Sequence, residues 1–563
     1  MNPFDSLDRR TFLARSAAWG AASAGLALAP APARAADSTE PLDVGSETLL
    51  FLDDWIIEHS EGLNRRLHAP AKQGLIKTAD GRDWDRGDVY HGNIVCRDKA
   101  GRFHMTYRYI WSDPSVRDLH PGIGDDKAHW FRESTAYATS DDGVHWHRPT
   151  LRLLDGPAGF RPVEDFPFEI PAGLSKQNNL GCPFDFIYDL AAHGNLAQPD
   201  RRFLLRVVRR EDTHPFAAAV ESQMYYAADW PDFAGDPHWR ERLTPLPGAS
   251  LSPRGFKALS GYDHRQQLWF VVGQDTIANW RPRGGRDVAR FTSPDLVAWQ
   301  GPELVLAVAD DESRTATDWV EYMDMTAYRV GGPQSGLWLG QLVVFHSDRS
   351  SEQFMMPTIP DVWRKGTTEL RLVTSRDAGK TWQPVAGKQV WLPHHTDEHG
   401  FDRLVFSSCP VRVGDELWFY YSAWDGDHLV FNRDGSLFKP GFIRRGRTAR
   451  ATLRLDGYAS LQAGPAGGRL TTRPLMANGQ DLVVNVDAPK GALKVSLEDP
   501  FGQAYPGFSA GDCIAAGGDS VRLAVRWRDG NHPTGLAGKP VQVRVQLAAG
   551  RLYSLAFAND AET

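Results

Sequence analysis

Several things are scarce in this 563-residue chain, and each scarcity closes off a class of protein. Its four cysteines, Cys96, Cys182, Cys409 and Cys513, lie far apart. None has the short paired spacing of a zinc site or a redox motif. Three sit inside apolar strand-like runs, which reads as free, buried thiols, with pairing after export as the alternative. No Lys/Arg block occurs and the formal net charge is −7 at pH 7, which argues against a nucleic-acid partner. Beyond the amino end no apolar run approaches ~18 residues, so no membrane span is expected. Helical periodicity is nearly absent. No His-x-x-x-His pair and no carboxylate-rich loop marks a zinc or calcium site. No metal ligand and no cofactor is therefore predicted, and a central structural cation stays open as the alternative.

Aromatic residues are abundant. Nineteen Trp, 15 Tyr and 27 Phe suit a β-rich protein that handles sugars, although Trp used as filler between sheets accounts for part of them. One stretch recurs along the chain. Residues 375–382 read Ser-Arg-Asp-Ala-Gly-Lys-Thr-Trp after a strand-like run at 370–374. Residues 140–146, Ser-Asp-Asp-Gly-Val-His-Trp, and 293–299, Ser-Pro-Asp-Leu-Val-Ala-Trp, repeat the pattern after runs at 135–139 and 288–292. A degenerate copy runs from residue 225 through Asp229 and Asp232 to Trp239. An Asp side chain can bond the backbone amides ahead of it, and Gly tolerates positive φ. The Trp then plugs the gap between neighbouring sheets. Such hairpin ends are what repeating four-stranded units leave behind, the mark of a β-propeller.

The amino end reads as an address. Asp-Arg-Arg-Thr-Phe-Leu at 8–13 is a twin-arginine signal, followed by an Ala-rich run at 17–29 and Ala-Arg-Ala at 33–35. Cleavage there takes away four Arg and two Asp and moves the formal charge from −7 to −9. The expected location is periplasmic or secreted, with no membrane contact after cleavage.

Five blades are expected over residues 45–445, as period-two or continuous apolar runs bounded by turn residues. Their runs are 91–97, 103–111 and 135–139; 184–188, 203–208 and 224–228; 256–262, 267–272 and 287–292; 319–330, 338–346 and 369–374; and 404–413 and 417–423. Residues 49–58 are expected to close the ring by joining the last blade. From 446 onward short strands at close spacing, beginning with 448–456, predict a β-sandwich to residue 563. The fold class is all-β: a five-bladed β-propeller followed by a C-terminal β-sandwich.

Leu-Phe-Leu-Asp-Asp-Trp-Ile-Ile-Glu at 50–58, the Trp turns at 139–146 and 292–299, and Gly-Asp-Glu-Leu-Trp-Phe-Tyr-Tyr at 414–421 together resemble the five-bladed propeller glycosidases, the glycoside hydrolase family 32 and 43 group. The resemblance covers roughly residues 45–560 and extends to the sandwich appended in family 32. It implies a sugar-handling funnel. It transfers no catalytic residue, because the family 32 motifs Trp-Met-Asn-Asp, Arg-Asp-Pro and Glu-Cys are absent.

Glycoside hydrolysis needs two carboxyl groups flanking the scissile bond, one protonated and one ionised. In a propeller they come from the innermost strands, whose starts line one mouth of the channel. That restriction leaves Asp88 in blade one, Asp185 in blade two, Glu321 and Asp324 in blade four and Asp402 in blade five. In an arrangement that resembles the family's, with acids on blades one, two and four, Asp88 is read as base or nucleophile, Glu321 as general acid and Asp185 as an orienting or pKa-tuning group, with Asp324 as the rival acid. Odd spacing along a strand would put Glu321 and Asp324 on opposite faces. Substrate-contacting candidates are His91, Asn93, Arg108, Trp111, Lys257, His346, Arg403, Trp424 and His428, each weighed against a packing or capping role. The partner expected is a carbohydrate. A binding propeller without catalysis, and a glycoside phosphorylase drawing on Arg108, Lys257 or Arg403, are the alternatives.

Overall fold

The computed structural model describes residues 40–78, 88–112, 131–147, 184–190, 200–210, 219–231, 236, 238–250, 259–275, 286–308, 318–332, 335–348, 366–394, 404–424 and 446–558. Among them there is no α-helix. Antiparallel sheets form five blades. Blade one has Asp88–Arg97, Phe103–Ser112 and Phe131–Ser140. Blade two has Phe184–Asp189, Phe203–Arg210, Ala219–Ala227 and Thr244–Leu246. Blade three has Gly261–Asp263, Leu268–Asp275, Asp287–Ser293 and Gln300–Leu306. Blade four is the longest, with Asp318–Arg329, Trp338–Asp348 and Gly366–Ser375, edged by Gln383–Pro384 and Val390–Leu392. Blade five joins Leu404–Ser407 and Val411–Val413 to Glu416–Trp424, then Gly446–Arg454, then Ala71–Leu75.

Two boundaries differ from the sequence reading. The ring is closed by Ala71–Leu75, which pairs with Gly446–Arg454, and not by residues 49–58. Leu49–Leu50 and Ile57–Glu61 instead pair with Gly550–Phe557 and Gly468–Thr472 in the sandwich. The strand expected to open the sandwich, Gly446–Arg454, is the third strand of blade five, so the sandwich begins one strand later, at Ala459–Ala463. The chain thus enters through the sandwich before it closes the propeller, and the two domains are stitched by strand exchange. The turn at 51–56 docks onto blade four. Arg376, in the last Trp turn, forms a two-pronged ion pair with Asp53 at 2.6 and 3.0 Å and lies 4.1 Å over the ring of Trp55.

The sandwich is organised by one long strand, Leu482–Glu498. Its first half pairs with Gly550–Phe557 and its second with Pro540–Ala548. Val484, Val486, Val495 and Leu497 on this strand meet Leu470, Val543, Val545 and Leu555 in a dry core. Cys96, Cys409 and Cys513 are free, and burial pushes the Cys409 thiol up to about 12 and raises the other two. They are packing residues, not nucleophiles.

The Trp turns hold as read. Ser140, Ser293 and Ser375 each donate a hydroxyl to the Asp two residues on, at 3.0, 3.1 and 2.8 Å. Those Asp residues accept the next backbone amides: Val144 and His145 on Asp142, Val297 and Ala298 on Asp295, Thr381 on Asp377, all at 2.8–2.9 Å. Gly143 is at φ 72, and a Cβ there would stand 2.7 Å from the Tyr420 hydroxyl, which donates to its carbonyl. Trp146 fills the gap between blades one and five, and Trp299 that between two and three. Trp382 does the same between three and four. Near the degenerate copy Trp230 fills the gap between blades one and two, stacked 4.9 Å from His104 and edge-on to Phe203 at 5.5 Å.

Asp377→Ala removes the acceptor for the Thr381 amide and hydroxyl together. At about 0.5–1.5 kcal/mol per bond, the variant is expected to lose about 1–3 kcal/mol in denaturant unfolding. A loss within error of zero would show that the turn forms without its Asp.

Candidate active site

The strand that opens blade one packs beside those that open blades two and five. Near its start each of three opening strands breaks register. In blade one, Tyr90 pairs with Arg108 and Ile94 with Thr106, so His91, Gly92 and Asn93 stand opposite a single residue. In blade two, Phe184 pairs with Val207 and Phe186 with Arg206, which leaves Asp185 as the extra residue. In blade four, Tyr322 pairs with Val344 and Asp324 with Val343, so Met323 is the insertion. A bulge re-aims side chains that regular alternation would fix, and bulges concentrate next to active sites.

The blade-four bulge overturns one expectation. Glu321 pairs with Phe345 and Asp324 with Val343, two residues apart on the neighbouring strand. The extra Met323 restores the phase, so Glu321 and Asp324 share a face instead of opposing each other. Their roles nonetheless separate. Asp324 is half-buried, and its Oδ1 accepts the Met325 amide at 2.9 Å, which closes the bulge. Glu321 is only 1% exposed. Its Oε2 lies 3.5 Å from Nε of Arg286, a buried residue at the edge of blade three whose carbonyl accepts the Tyr322 amide.

A second cluster sits at the same end of blade four. His346 Nε2 is 3.1 Å from Glu369 Oε1, and Arg371 reaches that same oxygen through Nε at 3.0 Å and Nη2 at 2.9 Å. The His346 side chain is 34% exposed and Glu369 is 12% exposed, so the imidazole faces outward from a buried support. Burial pushes the Glu369 carboxyl up, but the hydrogen bond and charge of His346, with Arg371, hold it below its ordinary 4.5. A depressed carboxylate stabilises the fold above its unfolded-state value, and that contribution is lost as pH falls through the lowered one. Wild-type melting temperature is therefore expected to fall on acidification below pH 4.5. Glu369→Gln should flatten that limb when melting is followed over roughly pH 3–6. An unchanged limb would assign the acid sensitivity to other carboxylates.

Glu369 lies on the third strand of blade four, outside the innermost strands on which the acids are expected. Its signal was available: Glu-x-Arg at 369 and 371 places both side chains on one face of the strand that runs into the Trp turn. Asp88, His91, Asn93, Arg108, Trp111, Asp185 and Trp424 are placed on their strands by backbone pairing. Asp402, Lys257, Arg403 and His428 lie outside the described residues, as does the amino-terminal address. Among the described residues no group of three or more His, Cys, Asp or Glu converges as a metal site would.

Strand pairing defines the class: a five-bladed β-propeller carrying a β-sandwich. No protein-family model matches the chain, and no curated protein matches it. Among solved structures it is similar to an α-L-arabinofuranosidase from Podospora anserina in complex with cellotriose, at 11% identity and TM-score 0.32, over 69% of this chain and 99% of that one. It is also similar to a fructofuranosidase from Schwanniomyces occidentalis complexed with fructosylnystose, at 10% identity and TM-score 0.31, over 88% and 99%. A glycosyl hydrolase from Bacteroides ovatus shows 12% identity and TM-score 0.32, over 73% and 96%.

Proposed function

We propose that the protein is an exported glycoside hydrolase that cleaves an oligo- or polysaccharide by two-carboxylate acid/base chemistry at the mouth where the bulged strands begin. The observation that carries the reading is the coincidence of bulges with acids. Three opening strands depart from regular pairing, and Asp185, Glu321 and Asp324 stand at or beside the departures. Asp88 opens the third of those strands, three residues before its bulge. A carboxyl group as buried as that of Glu321 is costly to the fold unless it serves a purpose there.

In this reading Glu321 protonates the leaving oxygen. A general acid of this kind gives up a proton in one step and regains it in the next, and Glu321 is held in place 3.5 Å from Arg286 Nε. Asp88 attacks the sugar or activates water, Asp185 orients the pair, and outward-facing His346 contacts a sugar hydroxyl with Glu369 and Arg371 fixing its ring. Export through the twin-arginine route places the reaction outside the cytoplasm.

The test is a panel of aryl glycosides and natural oligosaccharides, assayed with and without inorganic phosphate. Turnover independent of phosphate is expected. Phosphate-dependent turnover would make the protein a phosphorylase. Absence of turnover, with an oligosaccharide raising the melting temperature, would make it a binding propeller.

A further inference from the structure

A cavity of about 400 Å³ lies at the seam between the propeller and the sandwich, well away from the bulged strand starts. Its size falls within the roughly 300–1,000 Å³ of small-molecule sites. Blades four and five supply one wall, the long sandwich strand and its neighbours the other, and the connecting turn at 455–458 crosses between them.

That turn is built around an acid. Asp456 adopts φ 56, a left-handed conformation that non-glycine residues seldom take. Asn485, 1% exposed, pins the turn: its Nδ2 donates to the Leu455 carbonyl at 2.7 Å, and its Oδ1 accepts Arg454 Nε at 2.6 Å. The Asp456 carboxylate is thereby held against the cavity, where Ser554 Oγ donates to its Oδ2 at 3.1 Å. Burial raises the Asp456 carboxyl above its ordinary 3.8, and the Ser554 hydrogen bond and the guanidiniums of Arg412 of the propeller and Arg522 of the sandwich, both lining the cavity, act against that rise. Arg329 borders the cavity too, but its guanidinium turns toward blade three, donating to the Ser335 and Tyr262 carbonyls at 2.5 Å each and lying 4.5 Å over the Trp338 ring. Two guanidiniums, of Arg412 and Arg522, thus act on the one carboxyl of the lining, with Leu417 and Leu455 as apolar surface.

We propose that this seam cavity binds a uronic acid of monosaccharide size. A ligand with both a carboxylate and hydroxyls matches a wall with both excess positive charge and one fixed acceptor. The carboxylate pairs with Arg412 and Arg522, and Arg geometry favours planar, two-pronged recognition of that group. Ring hydroxyls donate to Asp456. A compact anion such as phosphate lacks the hydroxyl reach and meets Asp456 as a like charge. Because both domains contribute a guanidinium, an occupied cavity also ties them together. The site is independent of any hydrolytic activity.

Isothermal titration of the full chain with D-glucuronate, D-glucose and inorganic phosphate tests this. Saturable glucuronate binding is expected, with glucose and phosphate at least about tenfold weaker. Arg412→Gln and Arg522→Gln, shown folded by their melting curves, should each weaken glucuronate by about 10- to 100-fold. Asp456→Asn should narrow the preference for glucuronate over phosphate. Glu321→Gln, at the far mouth, should leave glucuronate binding intact. No glucuronate heat, phosphate binding as tight as glucuronate, or loss in Glu321→Gln with retention in the arginine variants would each overturn the proposal. Should either arginine variant fail to fold, the Asp456→Asn and Glu321→Gln comparison still decides.

Discussion

Glu321→Gln is expected to lower the rate of glycoside cleavage by about 10²–10⁴-fold, the range that a positioned acid or base supplies. Glutamine keeps the size of the side chain and a hydrogen-bonding oxygen toward Arg286 but cannot cycle a proton. The loss should fall on kcat, with KM changed little, because the missing interaction is one of the transition state. Asp324→Asn provides the contrast. Its carboxylate closes the bulge by accepting the Met325 amide, a bond that an asparagine oxygen can keep, so its activity should stay within about tenfold of wild type. If Asp324→Asn abolishes turnover while Glu321→Gln preserves it, the two residues exchange roles, which their shared face allows.

Trp391→Ala is expected to destabilise the protein by about 3–5 kcal/mol, the usual cost of emptying a buried tryptophan site. Trp391 is 0% exposed and lies on the edge strand of blade four. It meets Phe419 of blade five edge-on at 5.0 Å and Tyr458 of the connecting turn at 6.2 Å. One ring therefore touches three units: two blades and the link to the sandwich. The same neighbourhood is tied by polar contacts, since Tyr328 donates its hydroxyl to that of Tyr458 at 3.2 Å and accepts from Gln341 at 3.0 Å. Denaturant unfolding followed by tryptophan fluorescence and by circular dichroism should show both domains losing stability together. If the sandwich keeps its wild-type midpoint, the seam is not a shared core.

The parts of the fold legible in the sequence are those whose chemistry is local. A Ser-x-Asp turn closes through bonds within five residues, so its residues announce it, and the Trp that follows has one place to go. Strand closure is different. Ala71–Leu75 reads Ala-Lys-Gln-Gly-Leu, with neither alternation nor β-branching, because an outer strand exposed on one side needs little more than backbone pairing. The more apolar stretch at 49–58 pairs with the sandwich and divides its side chains between two cores, Leu49, Phe51 and Ile56 in the sandwich and Leu50 and Leu52 against blades four and five. Bulges leave no trace in period-two reading, which is why Glu321 and Asp324 were assigned to opposite faces. Glu369 was missed for a related reason: a support for a functional His can stand one strand away, at no fixed spacing in sequence. Trp230 fills the gap between blades one and two without the Ser-x-Asp spacing of the other turns, so that spacing could not point to it.

The most direct measurement is the kcat/KM of Asp88→Asn, Glu321→Gln and the double variant on the best substrate of the panel. Groups that act as one catalytic unit are strongly non-additive. The double variant is predicted to be about as slow as the slower single variant. Losses that multiply, or a double variant as fast as wild type, would contradict a two-carboxylate site at the bulged mouth.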